Sequence, residues 1–433
     1  MSAATIVRVT RMTARAEGPR LLATLALPIL AFAAATALAL IVVGGHGAFA
    51  GRDSHPDAQF YLTLASIASV LVVIPCFTLG LAAARLGARK RDARLASLRL
   101  AGATPGDVAG LAMLEAAIAG LIGACLGAVL SAALLPVVAL LPFQGEPFSA
   151  SELWVGPWML LAIIVGVVVL AAATSLLGLR SIAITPLGVA QRHAPRPRGL
   201  VLLLVVGGVL LLWTQANTAA AGITGLLIAL AITFAMLNVV GSRIVALVGR
   251  AMLARADDAA SLIAARRVLD APAQAWRAIS GVAVASFVAA GTALLTAIGS
   301  GNGEEQLMSD MRLGVAFTLV VTFLLAAISS ALAQAASILE HRELYVALHH
   351  AGTPVPVMQA ARSRQARGPV LVLSLVSAGA ALAFLFPITG AVVLLDPLAL
   401  GQLLVLLALG NAIVLGGVLA TRPLLRRVVT ARS

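Results

Sequence analysis

Charged residues are scarce in this chain of 433 residues. Asp, Glu, Lys and Arg make up 11% of it, whereas a soluble domain carries about 25%. Hydrophobic residues reach 61% and the mean hydropathy is +1.04. So little charge excludes an ordinary soluble domain, because there are too few polar side chains to cover its surface.

Cysteine and lysine are almost absent. Cys76 and Cys125 both fall in long apolar runs, which argues against a disulfide framework or a metal site. A P-loop needs a lysine between glycine and serine or threonine, but Lys90 lies between Arg89 and Arg91. We therefore expect no standard ATPase site, no catalytic residues and no directly bound cofactor or metal.

Long hydrophobic runs are what the chain has in abundance. Runs of 18 or more apolar residues predict transmembrane helices. The predicted spans are 21–43, 59–84, 108–140, 155–179, 200–215, 221–242, 279–299, 312–339, 369–388 and 397–421. The first run is too long for a cleavable signal peptide. The fold class is thus an all-α, polytopic membrane protein with about ten transmembrane helices.

The net charge of +13 is distributed asymmetrically between the loops. Every Lys and Arg except Arg52 and Arg312 lies in a segment on one predicted side of the membrane. The positive-inside rule makes that side cytoplasmic and places both termini there, in a cell membrane. The basic segments are therefore interpreted as topology signals and contacts for membrane lipids, and we expect no nucleic-acid partner.

Two basic amphipathic segments are predicted to lie along the inner interface, at 4–18 and 259–277. In the second, Val268 is expected to face lipid and Arg267 to face water. Trp276 is predicted to anchor at the same interface, and Trp154, Trp158 and Trp213 at the opposite one. Three amides inside spans are expected to form ordinary interhelical hydrogen bonds: Asn238, Gln334 and Asn411.

A short motif occurs twice. Leu98 to Pro105 (LRLAGATP) is similar to Leu348 to Pro354 (LHHAGTP), and Gly102 and Gly352 each follow a charged helical continuation of a span. A glycine after a helix end supplies the left-handed residue of a cap, and the following proline stops the helix from resuming. Each copy is thus a span that extends past the membrane, turns sharply and returns, which indicates an internal duplication.

The duplication divides the chain into segments. They are an interfacial helix at 1–20, a first half with four spans at 21–190, two linking spans at 191–250, a second interfacial helix at 251–278 and a second half with four spans at 279–433. Two parallel halves joined by two extra spans are typical of transporters.

The stretch RDARLASLRLAGAT from Arg91, followed by Leu114-Glu115-Ala116 and by GLIGACLG from Gly120, resembles the FtsX-like permease domain of MacB-type ABC transporters. The ten-span order is similar to that of BceB-like permeases without their large extracellular domain. The resemblance implies a permease subunit served by a cytoplasmic ABC ATPase dimer, which binds ATP and Mg. It also implies coupling residues in the two turns: Arg91, Arg94, Leu98, Arg99, Gly102, Thr104, Glu343, Leu348, His349, Gly352 and Thr353.

Glu115 is the one acidic residue predicted inside a span at some depth, where a carboxylate is costly unless it is paired, protonated or hydrated. It either pairs with a basic residue near the inner face or snorkels to the interface. Gly120, Gly123 and Gly127 leave one face of the same helix without side chains, and such spacing favours close helix packing.

The function expected from these features is export or extraction of a hydrophobic or amphipathic substrate, such as a lipid, a lipopeptide or an antimicrobial. One alternative is an FtsX-like regulator that signals to a cell-wall hydrolase or a sensor kinase. Another is a secondary transporter, which needs several buried charges and broken helices at the midplane.

Overall fold

The computed structural model describes residues 19–53, 57–86, 104–183, 218–298, 305–389 and 395–430. The long helices are α1 (Pro19–Gly51), α2 (Ala58–Leu86), α3 (Pro105–Ala139), α4 (Gly156–Ala183), α5 (Thr218–Ala254), α7 (Pro272–Ile298), α8 (Glu305–Glu340), α10 (Val355–Thr389) and α11 (Pro397–Ala420). Three shorter helices are α6 (Ala259–Asp270), α9 (Arg342–His350) and α12 (Arg422–Thr430). The described strands are β1 (Pro142–Phe143) and β2 (Glu146–Pro147), an antiparallel hairpin between α3 and α4.

The all-α membrane fold is confirmed. Seven helices among the described residues are long and apolar enough to cross a membrane. Each predicted span lies inside a long helix, give or take one residue at its ends, except 200–215, which lies outside the described residues. Several helices extend well beyond their spans, and α10 begins 14 residues before its span at 369–388. The protein is therefore a multi-pass membrane protein.

Local signals fix several helix starts. Thr104, Asp258 and Asp396 cap α3, α6 and α11 with their side-chain oxygens, and proline occupies an early position of α3 and α11. These caps satisfy backbone N–H groups that have no partner within the helix.

The chain forms two compact units. The first contains residues 1–48, 76–141 and 148–193, and the second contains 49–75, 142–147 and 194–433. The core of the second unit includes Phe234, Phe287, Phe323 and Phe384 from four long helices.

A further cluster of the second unit corrects two sequence expectations. Val268 of α6 is fully buried beside Trp276 and Val245, rather than facing lipid. Trp276 is 4% exposed, and its ring lies so close to Gly241 that a Cβ there would be 2.3 Å away. The prediction of Trp276 as an interface anchor was therefore wrong, whereas Trp158 is 82% exposed, as such an anchor requires.

The hairpin is held in the second unit by Arg52 and Asp310. Arg52 donates to the carbonyl oxygens of Phe143, Glu146 and Pro147. The carboxylate of Asp310, 4% exposed, accepts from the Tyr61 hydroxyl and the Gln144 backbone N–H, both at 2.7 Å. Gln144 has a φ of +60°, and these bonds hold it in that conformation.

Candidate coupling turns

The first predicted turn is described only from Thr104 onward. Arg91, Arg94, Leu98, Arg99 and Gly102 lie outside the described residues, so their coupling role stays a prediction. The described part begins with Thr104, which caps α3.

That cap is reciprocal. The Thr104 hydroxyl accepts from the Asp107 backbone N–H at 3.3 Å, and the Asp107 carboxylate accepts from the Thr104 N–H at 3.2 Å and from its hydroxyl at 2.6 Å. These bonds from Thr104 hold the pKa of Asp107 below its usual value. The return into the membrane therefore starts at a fixed residue.

The second turn is described completely. Gly352 has a φ of +85°, its N–H donates to the His349 carbonyl, and the Thr353 N–H donates to the Leu348 carbonyl, both at 2.9 Å. This is a Schellman motif, and Pro354 follows it. The predicted left-handed glycine cap is thus confirmed.

Helix α9 packs through one face only. Tyr345 is 2% exposed and forms a buried cluster with Ile338, Met358 and Leu425, and Leu348 packs against the same cluster. Of the predicted coupling residues in this turn, Glu343 and Gly352 are exposed, whereas Leu348, His349 and Thr353 are half-buried. Leu348 thus supports the turn from inside.

A polar layer lies one helical turn from this apolar cluster. Arg362 of α10 is 4% exposed and donates through Nη2 to Gln334 Oε1 of α8 at 3.3 Å and to Thr421 Oγ1, between α11 and α12, at 2.9 Å. Arg362, Gln334 and Thr421 are four positions from Met358, Ile338 and Leu425, respectively. Each therefore lies one helical turn from a residue of the apolar cluster, on the same side of its segment. Arg362 therefore joins three chain segments beneath the turn.

Helix α6 is attached at both of its ends, to the turn at one end and to α10 at the other. Arg267 donates to the Tyr345 hydroxyl and lies over its ring, with 4.8 Å from the guanidinium carbon to the ring centroid. At the other end Asp258 forms an ion pair with Arg364 of α10. The hydrogen bonds of Ser261, together with Arg364, lower the pKa of Asp258 to about 2. Arg267 is half-buried against the protein rather than facing water as expected.

Glu115 and the glycine face belong to the first unit. Glu115 is 8% exposed and lies on the buried side of α3 with Ala112 and Ala116, an environment that favours the paired interpretation over snorkelling. A Cβ at Gly123 would lie 2.5 Å from the Phe32 Cβ of α1. A Cβ at Gly120 would lie 3.0 Å from the Ala171 Cβ of α4, and a Cβ at Gly127 would lie 2.6 Å from the Ala33 carbonyl oxygen of α1.

The sequence did not single out Tyr345, Arg362 or Thr421 as functional. Gln334 and Asn411 were expected to bond between helices and do so, Asn411 by donating to the Ser374 hydroxyl at 2.9 Å. The side chain of Asn238 lies outside the described residues. A signal for Arg362 was present, because an arginine in an apolar helix needs polar partners. Within the described residues, no group of three or more His, Cys, Asp and Glu is placed to hold a metal ion.

Residues 62–187 match the model of the FtsX-like permease C-terminal domain. The matched segment contains the first turn, Glu115 and the glycine face, so the resemblance stated for these residues is confirmed. It ends before the second turn, and the BceB-like ten-span arrangement stays a prediction. No curated protein and no solved structure matches the chain significantly.

Proposed function

We propose that this chain is the membrane subunit of an ABC transporter and that its two turns, at Gly102 and Gly352, receive the motion of a separate cytoplasmic ATPase dimer. The observation that carries this proposal is the FtsX-like permease domain at residues 62–187. Such permeases are membrane components without catalysis of their own and normally work with a cytoplasmic ATPase, which binds ATP and Mg. Both termini and both turns then lie on the cytoplasmic side of a cell membrane.

The second turn has the properties that a docking element needs. Its exposed face carries Glu343, Leu344 and His350, so it offers apolar and polar groups to a partner. Its buried face rests on α8, α10 and α12 through Tyr345. A push on α9 would therefore be transmitted directly to membrane-spanning helices, because packed helices move as rigid bodies.

The cargo we propose is hydrophobic or amphipathic. An apolar crevice in the first unit lies among α1, α3 and α4 and the segment before α4, and Ser131 is its one hydroxyl-bearing lining residue. Trp154 and Leu135 line it with other large apolar side chains. A crevice of this chemistry suits an acyl chain or the apolar face of a lipopeptide better than a sugar or an ion. Export or extraction of such a cargo is the proposed direction.

The test is the ATP turnover of the ATPase that co-purifies with the full chain in proteoliposomes. Deletion of residues 95–105 is expected to abolish the stimulation of ATP turnover by the permease. The control is Gly379→Ala, at an exposed helix position where an added Cβ would meet no atom within 4 Å, and it should leave the turnover unchanged. Unchanged turnover in the deletion variant would remove the coupling role. Recovery of a hydrolase or kinase without ATP-dependent cargo movement would favour the regulator instead, and ion-driven movement without an ATPase would favour a secondary transporter.

A further inference from the structure

The second turn and the hairpin contact opposite ends of the same helix, α8. Ile338, in the last turn of α8, is fully buried in the cluster that contains Tyr345 of α9. Asp310, in the second turn of α8, accepts from the Gln144 backbone N–H of the hairpin at 2.7 Å. The helix between residues 310 and 338 is about 42 Å long, at about 1.5 Å per residue. A displacement of the second turn can therefore reach the hairpin through one continuous helix.

Polar and apolar contacts together hold the hairpin on this end of α8. The carboxylate oxygen of Asp310 that binds the hairpin also accepts from the Tyr61 hydroxyl of α2, at 2.7 Å. The Phe143 ring lies edge-on to the Phe49 ring, with 5.4 Å between the ring centroids. The same Phe143 ring lies 3.6 Å from the Cβ position of Gly314, one helical turn after Asp310. Because several groups hold it, we expect the hairpin to follow α8.

Both chain connections of the hairpin lead to the wall of the apolar crevice. Leu135 of α3 lines the crevice seven residues before the hairpin, and Leu153 and Trp154 line it a few residues after the hairpin. The second connection is compact, because the Ser149 N–H donates to Glu152 Oε2 at 3.0 Å and the Glu152 N–H donates to the Ser149 hydroxyl at 3.2 Å. Such short connections leave little slack between the hairpin and the crevice wall.

We propose that the hairpin is a strap through which α8 moves the wall of the crevice, with Asp310 as its positioning residue. The inference rests on the proposed function, since the second turn must receive ATP-driven motion. A displacement of α8 shifts the hairpin through Asp310, and the hairpin shifts Leu153 and Trp154, which changes the access of an acyl chain to the crevice. The contacts form the contiguous chain of packed and hydrogen-bonded groups that such coupling needs. Loss of Asp310 should therefore uncouple the crevice without stopping ATP turnover.

The experiment uses the full chain with its co-purifying ATPase in proteoliposomes. The part of the tryptophan emission that Trp154→Phe removes reports the surroundings of Trp154 in the crevice wall. In wild type, this emission is expected to differ between the nucleotide-free state and the state trapped with ATP and vanadate. Asp310→Ala should lose the difference while it keeps the stimulation of ATP turnover. Tyr61→Phe, in which Asp310 still accepts from Gln144, should lose less of it.

Asp53→Ala is the matched control, because Asp53 is an exposed carboxylate outside the bonds that hold the hairpin, and its emission change should equal that of wild type. A second variant keeps every contact of Asp310 and inserts a short polyglycine linker on each side of the hairpin, after Leu141 and after Pro147. The added slack should abolish the emission change.

A change that persists in the linker variant would overturn the strap, even if Asp310→Ala fails to fold. So would a wild type that stimulates ATP turnover without any change in the Trp154 emission. Failure of wild type to stimulate turnover would instead refute the proposed function and, with it, the source of the motion.

Discussion

The contact of α1 with α3 at Gly123 allows a quantitative prediction. An alanine Cβ at this position would lie 2.5 Å from the Phe32 Cβ and 2.8 Å from the Ile29 carbonyl oxygen. Carbon atoms pack at about 3.5–4.0 Å, so the two helices must separate by about 1 Å. Overpacking of this kind costs about 1–3 kcal/mol.

Gly166→Ala in α4 is the matched control, because a Cβ there has no atom within 4 Å. Both substitutions gain the same helix propensity, about 0.5–1 kcal/mol, so the difference between them isolates the packing cost. The assay is the apparent free energy of unfolding of the full chain in an SDS titration. Gly123→Ala is expected to be less stable than Gly166→Ala by about 1–3 kcal/mol. Equal stability of the two variants would refute the close packing of α1 on α3.

Three further predictions concern the second unit. Because the pKa of Asp258 is lowered to about 2, its ionised form stabilises α6 fully above its ordinary pKa of 3.8, and this contribution is lost as the pH falls from there toward 2. The protection of 259–270 against hydrogen exchange, relative to the intrinsic exchange rate at each pH, should therefore fall in that pH range in wild type, and Asp258→Ala should lower it at neutral pH. Thr421→Val is expected to lower the unfolding free energy by about 1.5–3 kcal/mol in the same SDS titration, because Arg362 loses an acceptor. Asp310→Ala should be more destabilising than Tyr61→Phe in thermal unfolding, because it removes the acceptor of both the Tyr61 hydroxyl and the Gln144 N–H, whereas after Tyr61→Phe the same carboxylate oxygen still accepts from Gln144.

Each of these has a control and a contrary result. Asp257→Ala, next to Asp258, should leave the protection of α6 unchanged, and an equal loss of protection would contradict the cap. Thr318→Val removes a hydroxyl that bonds within its own helix, to the Gly314 carbonyl, so it should cost less than Thr421→Val. Equal effects of Asp310→Ala and Tyr61→Phe would mean that the hairpin does not depend on the carboxylate.

Local features of the fold were predictable from the sequence. The spans follow from runs of apolar residues, and the left-handed Gly352 follows from a glycine–threonine–proline sequence after a charged helix. Both signals lie within a few residues of the structure they produce, and membrane thickness fixes the helix length.

Features that depend on distant segments were not predictable. An amphipathic pattern shows that one face of α6 is apolar, but it does not show whether lipid or protein covers that face, so Val268 and Trp276 were assigned to the wrong environment. The layer of Gln334, Arg362 and Thr421 needs three helices that are remote in sequence. The coupling roles of Arg91, Arg94 and Arg99 stay predictions, since these residues lie outside the described part of the chain.

Contact between the second turn and an ATPase is the most direct test of the central claim. A photo-crosslinking amino acid placed at His350, exposed at the end of α9, is expected to capture the ATPase subunit in native membranes. The same group at Trp158, which is 82% exposed at the beginning of α4, should not capture it. An ATPase adduct at position 350 alone is the predicted result. No adduct there, or equal adducts at both positions, would contradict the assignment of this turn as the docking element.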